Sequence, residues 1–486
     1  MSSAGPSRDS LGGPLTRRAF LERGGTMALG AMALDVLTAR DASSASRIAE
    51  RDSLPHFAPK ARRVVFLTQS GGPSQLELFD PKPGLASLAG TPLPESVRGG
   101  QRVTGMTAGK PQLVLPARPR FAPRGECGME LSDWIPHLGK IADDLCLVRS
   151  MTTDEINHAP AMTKFLTGHQ LPGRPSLGAW ISYGLGSENR DLPDYMALLS
   201  RLKRGSDQPL YDHYWGSGFL PSIHQGVKLR AAAEPVLYLK DPPKMTRRLR
   251  RAQLDGLAAL NRKHHAETND PETLTRIEQY EMAYRMQASV PDLTDLSDEP
   301  NDTFELYGPD ARRPGTYASN CILARRMLER GVRFVQLFHP DWDHHSRLTS
   351  WCTQRCRDTD QPSAALITDL KRRGLLEDTL VVWGGEFGRS VAGQGDWQSP
   401  EAGRDHHPRC FSVLLAGAGI KAGTVYGATD EFGFNVTEDA VHVRDLHATI
   451  LHLMGIEHER FTFRSQGLDM RLTGVEKARI VNEILS

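Results

Sequence analysis

The sequence predicts an α/β fold: a doubly wound, mostly parallel sheet with a helical insertion. Three observations predict it. Short unbroken apolar runs recur, among them Val64-Val65-Phe66-Leu67, Phe334-Val335-Gln336-Leu337-Phe338 and Leu380-Val381-Val382-Trp383. Such runs mark strands buried on both faces, as in parallel sheets. Helical patterns lie between them, so β and α alternate along the chain. Acids and imidazoles gather just after two of the runs, where open α/β sheets bind their ligands.

In chain order, Val64 to Thr68 is the first strand and enters the turn Gly71-Gly72-Pro73-Ser74. Residues 84–125 are rich in glycine and proline and read as loop. Leu145 to Arg149 is a second strand, and a helix after it stops at Thr167-Gly168. Tyr195 to Leu199 is a third strand. From about 244 to 290 the pattern turns helical and charged, which reads as an insertion or edge layer. A helix from Tyr317 to Arg330, ended by Gly331, feeds the strand Arg333 to Phe338. A helix from Gln361 to Arg373 feeds the strand Thr379 to Trp383. Cys410 to Ala416 is a further strand, and Asp445 to Met454 a helix stopped by Gly455.

Composition sets outer limits. A hydrophobic fraction of 39% and a charged fraction of 24% allow a large core. A net charge of +1 gives no electrostatic case for nucleic acid or an anionic membrane as main partner. The basic run Arg247-Arg248-Leu249-Arg250-Arg251 reads as a solvated helix start. Six cysteines in this length make no disulfide scaffold, and none forms a Cys-x-x-Cys pair. Thr16-Arg17-Arg18-Ala19-Phe20-Leu21 is a twin-arginine export motif. The weakly apolar stretch behind it, broken by Asp35, is too short to span a bilayer. Residues 1–46 are therefore expected to be signal and linker, and 60–486 the folded domain. The twin-arginine translocase is the expected export partner, with a periplasmic or otherwise exported location. A basic unstructured terminus is the plainer alternative.

Two clusters carry the chemistry. One is Asp341-Trp342-Asp343-His344-His345; the other runs from Gly384-Gly385-Glu386-Phe387-Gly388-Arg389 to Arg404-Asp405-His406-His407. Carboxylate oxygen with imidazole nitrogen suits a divalent Zn, Mn or Fe ion better than Ca or Mg. The bland alternative is a hydrogen-bonded loop corner. Neighbours in an extended segment face opposite ways, so His344 and His345 diverge; His345 is the expected ligand and His344 a structural residue. Arg389 and Arg404 suit bidentate binding of a phosphate, sulfate or carboxylate, or else salt-bridge Glu386 or Asp405. His158, just past a strand end, is a ligand, a catalyst or a loop hydrogen bonder. His447 and His452 read as core or rim histidines.

These residues also carry a resemblance. Asp445-Leu446-His447-Ala448-Thr449-Ile450-Leu451 resembles the C-terminal helix of sulfatases and related members of the alkaline phosphatase superfamily. Lys164-Phe165-Leu166-Thr167-Gly168 resembles their "A-L-L-T-G" helix end, and Val381 to Gly388 sits where they carry "V-V-x-x-S-D-H-G". From about residue 60 onward the chain more closely resembles a twin-arginine-exported bacterial family, domain of unknown function 1501. Gly71-Gly72-Pro73-Ser74, Phe79-Asp80-Pro81-Lys82-Pro83, Trp342-Asp343-His344-His345 and Gly403-Arg404-Asp405-His406-His407-Pro408 are its marks here. The resemblance implies an alkaline phosphatase/sulfatase-like fold.

The departures matter as much. Counting back from Thr167 puts His158 where sulfatases carry their Cys or Ser nucleophile, and no Cys-x-Pro-x-Arg maturation motif occurs. The superfamily's Asp-His before glycine is here Glu386-Phe387. The resemblance implies metal ligands at Asp343, His345, Glu386 and one of His406 and His407, with His158 at the nucleophile's position; Asp405 is also expected among the ligands, and Arg389 and Arg404 are expected to hold the anion. The expected function is a metal-dependent hydrolase of phosphate or sulfate esters, acting on a small anionic ester or a sulfated or phosphorylated polysaccharide. The alternative is a non-catalytic relative that binds or assembles.

Overall fold

A computed structural model describes residues 54–486 apart from 102, 203–208, 231–234, 237–240 and 243. The export motif at Arg17 and Arg18 lies outside the described residues, and the folded unit is Pro55–Ser486. Its centre is a nine-stranded sheet. In chain order the strands are β1 (Arg63–Gln69), β2 (Cys146–Thr152), β3 (Tyr195–Leu199), β4 (Val227–Leu229), β5 (Phe334–His339) and β6 (Thr379–Gly384). A separate antiparallel hairpin, β7 (Gly388–Gln394) with β8 (Gly403–His407), comes next. The sheet resumes with β9 (Phe411–Ala416), β10 (Thr424–Tyr426) and β11 (Val441–His442). The spatial order is β10-β2-β9-β6-β1-β5-β3-β4, with β11 also paired to β2. Within this sheet only β9 runs antiparallel to its neighbours. The fold is thus the expected α/β class with a mostly parallel sheet.

Alternation along the strands shows why the central runs are apolar throughout. Val65, Leu67, Val335, Leu337, Val381 and Trp383 face one core, shared with helices α5 (Tyr317–Glu329) and α6 (Leu348–Arg372). Their neighbours face the other way: Phe66 meets Phe334 and also Phe165 of α1 (His158–Thr167). Both faces are covered, so no polar side of the strand is needed. Helix α2 (Leu177–Leu185) comes so close to the second face that a Cβ at Gly178 would lie 2.6 Å from the Tyr195 ring. Helices α3 (Arg247–Thr268) and α4 (Pro271–Thr294) form a long pair in the stretch read as an insertion, and α7 (Val443–Leu453) closes the second face. No described helix is long and apolar enough to cross a membrane. All six cysteines are unpaired.

One expected boundary needs correction. α6 starts at Leu348, not Gln361, and runs through Pro362. Proline lacks the N–H of the helical ladder and therefore reads as a stop. Here the helix buries Leu348, Cys352, Cys356 and Thr359 before the proline, and that packing holds the extra turns in place.

The register positions the site. Thr68 of β1 lies beside Phe338 of β5 and Gly384 of β6, so three carboxyl ends finish level. The loops leaving β1, β5 and β6 therefore open at one edge of the sheet. Trp342, wholly buried, anchors the second loop: its N–H donates to Ser70 O and its Nε1 to Gln69 Oε1 at 3.1 Å. The hairpin pins the same loop, because Arg404 N donates to His344 O and Leu348 N to Ala402 O.

Candidate metal centre

Four side chains from three chain segments meet at this edge. His158 opens α1, just beyond β2; Asp343 and His345 lie on the loop after β5; His406 lies on β8. One potential ligand atom from each lies within 4.8 Å of all the others. His345 Nε2 is 2.9 Å and His406 Nε2 3.3 Å from Asp343 Oδ1. His158 Nε2 is 3.1 Å from Asp343 Oδ2 but is not aligned on it for a hydrogen bond.

The second nitrogen of each ring is held by an oxygen. His158 Nδ1 donates to Glu386 Oε1 at 2.7 Å, His345 Nδ1 to Gln394 Oε1 at 2.6 Å, and His406 Nδ1 to Ile156 O at 2.7 Å. A carbonyl or carboxylate accepts only, so each Nδ1 carries the hydrogen. Neutral rings then present bare Nε2 lone pairs to the centre. Those of His345 and His406 lie 3.0 Å apart. Two lone pairs at that distance repel unless a proton or cation lies between them. Nitrogens bound at about 2.05 Å to a tetrahedral ion sit roughly 3.3 Å apart. Imidazole ligands to metals characteristically pass their other N–H to an oxygen acceptor. The donor set therefore fits a divalent transition-metal ion.

Electrostatics favour an unprotonated His406 and an ionised Asp343. Burial pulls the His406 pKa down to about 4, against the raising effect of Asp343. Burial raises the Asp343 pKa, but Arg389 and the three imidazoles outweigh that and hold the carboxyl far below its usual range. His158 goes the other way: burial opposes its charge, yet the Asp343 and Glu386 carboxylates prevail and raise its pKa. The side chains of His158, Asp343 and His345 remain 25%, 24% and 24% exposed, so the centre opens to solvent.

The other expected site residues are not among the four converging donors, each for a visible reason. Arg389 is 0% exposed. Its guanidinium donates to Gly71 O, Gly72 O at 2.9 Å, Arg404 O at 3.2 Å and Asp343 Oδ1 at 2.7 Å. It orients Asp343 and has no face left for an external anion. Arg404 and Glu77 form a buried ion pair, both 0% exposed, joined at 2.6 Å. Glu386 accepts from Gly71 N and His158 Nδ1, which puts it behind the imidazole. Asp405 accepts from Thr104 and Thr107 and from His406 N. His407 Nε2 donates to Phe434 O at 2.6 Å. The register of β7 and β8 shifts between Arg404 and His406. Adjacent His406 and His407 point to opposite sides, as strand neighbours do. His344 turns inward, its Nε2 donating to Asp341 O.

Sequence reasoning missed the acceptors Ile156 O and Gln394, and the Glu77 partner of Arg404. A backbone carbonyl leaves no trace in residue identity, but Glu77, among the nearest acids after the first strand, was a visible candidate. Phe387 packs its ring 4.7 Å from His406 and 4.9 Å from His158. It walls the centre with an apolar face.

Among solved structures, a sulfatase from Pseudoalteromonas sp. is 13% identical, with 85% of this chain and 71% of that one covered at a TM-score of 0.33. A phosphonate monoester hydrolase of Agrobacterium radiobacter is 12% identical, covering 88% and 77% at 0.34. The alkaline phosphatase from the Antarctic bacterium TAB5 is 10% identical, covering 82% and 99% at 0.32. No curated protein matches the chain. The model of the family described as "Protein of unknown function (DUF1501)" matches residues 61–485, and the chain belongs to that family.

Proposed function

We propose that the protein is a metal-dependent hydrolase of phosphate or sulfate esters that works outside the cytoplasmic membrane. One observation carries the reading: three Nε2 atoms and one carboxylate converge, and every imidazole is backed by an oxygen. Structural metal sites are closed, whereas catalytic ones keep an open position; three of these four donors are partly exposed. A bound Zn, Mn or Fe ion would polarise the ester oxygen and lower the pKa of a bound water. The chain's own residues orient and partition charge. Arg389 fixes the Asp343 carboxylate, Gln394 and Ile156 fix two ring tautomers, and Glu386 holds His158.

No hydroxyl stands in for the sulfatase nucleophile on α1. Thr163 Oγ1 donates to Ala159 O at 2.6 Å and lies 3.1 Å from His213 Nε2, so it is committed. By the count back from Thr167, His158 falls at the sulfatase nucleophile's position, and its ring nitrogens lie 3.1 Å from Asp343 and 2.7 Å from Glu386. The reading is therefore single displacement by water, with inversion at phosphorus. The substrate is a small anionic ester or a sulfated or phosphorylated polysaccharide. A second reading, a non-catalytic binding protein, draws on the internal consumption of Arg389 and Arg404.

Protein purified without chelator is expected to hold about one ion per chain by elemental analysis, as single-ion hydrolase sites do. Asp343→Ala with His345→Ala should abolish it while the circular dichroism spectrum stays unchanged. A metal-free parent sinks the reading. A metal-loaded parent that turns over no phosphate or sulfate ester supports the binding alternative. Export rests on Arg17 and Arg18; replacing both with Lys should trap precursor in the cytoplasm, and normal processing of that variant refutes it.

A further inference from the structure

A second cavity lies at the other end of the carboxyl edge, beyond β3 and β4. It measures about 790 Å³, within the range of small-molecule sites. It shares no lining residue with the metal centre. Leu198, Leu229, Phe304 and Leu323 give it an apolar floor. Against that floor sits Asn320, only 3% exposed, in the first turn of α5. Its Nδ2 is buried and has no hydrogen-bond partner among the described residues. A buried amide donor left unpaired is costly, and such a group calls for an explanation.

The surroundings say what would satisfy it. The N-terminal end of a thirteen-residue helix carries partial positive charge. At the rim, Arg312 is held rigid: its guanidinium lies 3.9 Å from the centre of the Phe304 ring and donates to Asn301 Oδ1 at 2.5 Å. The one carboxylate on the lining, Asp295, already accepts from Ser297 N at 2.9 Å. An unpaired amide donor and a helix N-terminus thus lie beside an apolar floor. A purely apolar molecule would leave the amide unpaired.

We propose that this cavity binds a small amphiphilic carboxylate, its carboxylate oxygen accepting from Asn320 Nδ2 and its hydrocarbon body lying on Leu198, Leu229 and Leu323. The site is independent of the metal centre, so it stands whether or not the protein hydrolyses esters.

Octanoate, octanol and octylamine are the probes, each titrated calorimetrically into the full metal-loaded protein. Octanoate is expected to bind saturably, and at least about tenfold tighter than either of the others, the scale of one hydrogen bond to a charged group. Asn320→Leu should weaken octanoate about tenfold without lowering the thermal midpoint, because it removes an unpaired donor. Leu323→Trp, which fills the floor, should abolish octanoate binding while metal content stays at the parent value. No octanoate binding, equal binding of octanol, or unchanged affinity in Asn320→Leu overturns the proposal. Should Asn320→Leu fail to fold, Asn320→Asp decides: a carboxylate there must repel octanoate, and undiminished binding to it also overturns the proposal.

Discussion

Arg404 tests whether a buried arginine in this fold serves substrate or scaffold. Its Nε lies 3.1 and 3.0 Å from the two Glu77 oxygens, and its Nη2 lies 2.6 Å from one of them. The remaining donors go to Ser390 O, Val391 O and Pro116 O. Ser74 Oγ donates to Glu77 as well. Both ends of the pair are fully enclosed, so removing one leaves the other charged and unsolvated. Breaking a buried pair in this way costs about 3–5 kcal/mol. Arg404→Met and Glu77→Gln should each destabilise by that amount. The double variant buries no unpaired charge, so it should cost about as much as one single change. The coupling energy is then about 3–5 kcal/mol, at or above the upper end for contacting residues. Guanidinium unfolding followed by tryptophan fluorescence reads all four proteins. Additive single effects would refute the pairing argument. So would an Arg404→Met variant as stable as the parent that had lost affinity for phosphate or sulfate.

Two further outcomes rest on geometry. His447 on α7 is wholly buried and donates through Nε2 to Phe165 O at 2.9 Å; burial pulls its pKa to about 4. Below the unfolded value of about 6.5 the unfolded chain takes up the proton first, so stability falls as pH drops from 6.5 towards 4, by about 3 kcal/mol in all. His447→Gln should flatten that part of the stability–pH curve, and an unchanged curve would assign the acid sensitivity elsewhere. At Gly403, a Cβ would lie 2.1 Å from the His345 carbonyl carbon and 2.4 Å from Ser346 N. Gly403→Ala must therefore push the donor loop, and metal affinity measured against a chromophoric chelator should fall at least about tenfold, the scale on which displaced ligand supports act. Parent-like affinity would show that the loop yields freely.

How much of the fold and centre was legible in the sequence depended on the kind of signal. The strands Arg63–Gln69, Phe334–His339 and Thr379–Gly384 were readable because burial on both faces forces unbroken apolar runs. The clusters after two of them were readable because chemistry collects at carboxyl ends. The start of α6 was not, because Pro362 speaks locally while the buried cysteines and leucine ahead of it speak through tertiary packing. Arg389 and Arg404 look like anion binders in any linear reading. Only their enclosure, and partners more than three hundred residues away such as Glu77, reveal their internal use. His406 and His407 are chemically identical neighbours, and which one faces the centre depends on a register shift that no residue type announces.

The centre's three-segment origin has a consequence for how the molecule comes together. A helix start, a mid-chain loop and a late hairpin must all be in place before four donors share one point. No fragment ending before β8 holds the full set, and loop-closure entropy keeps such distant segments apart until the sheet has formed. An ion that needs all four donors therefore binds the finished molecule far better than any earlier state. By mass action, an ion at about a thousand times its dissociation constant adds about 4 kcal/mol to the folded side alone. Such an ion would act as a clasp fastened last, and a chelator should then loosen the whole sheet edge at once, including the loop behind Trp342 and the hairpin that holds it.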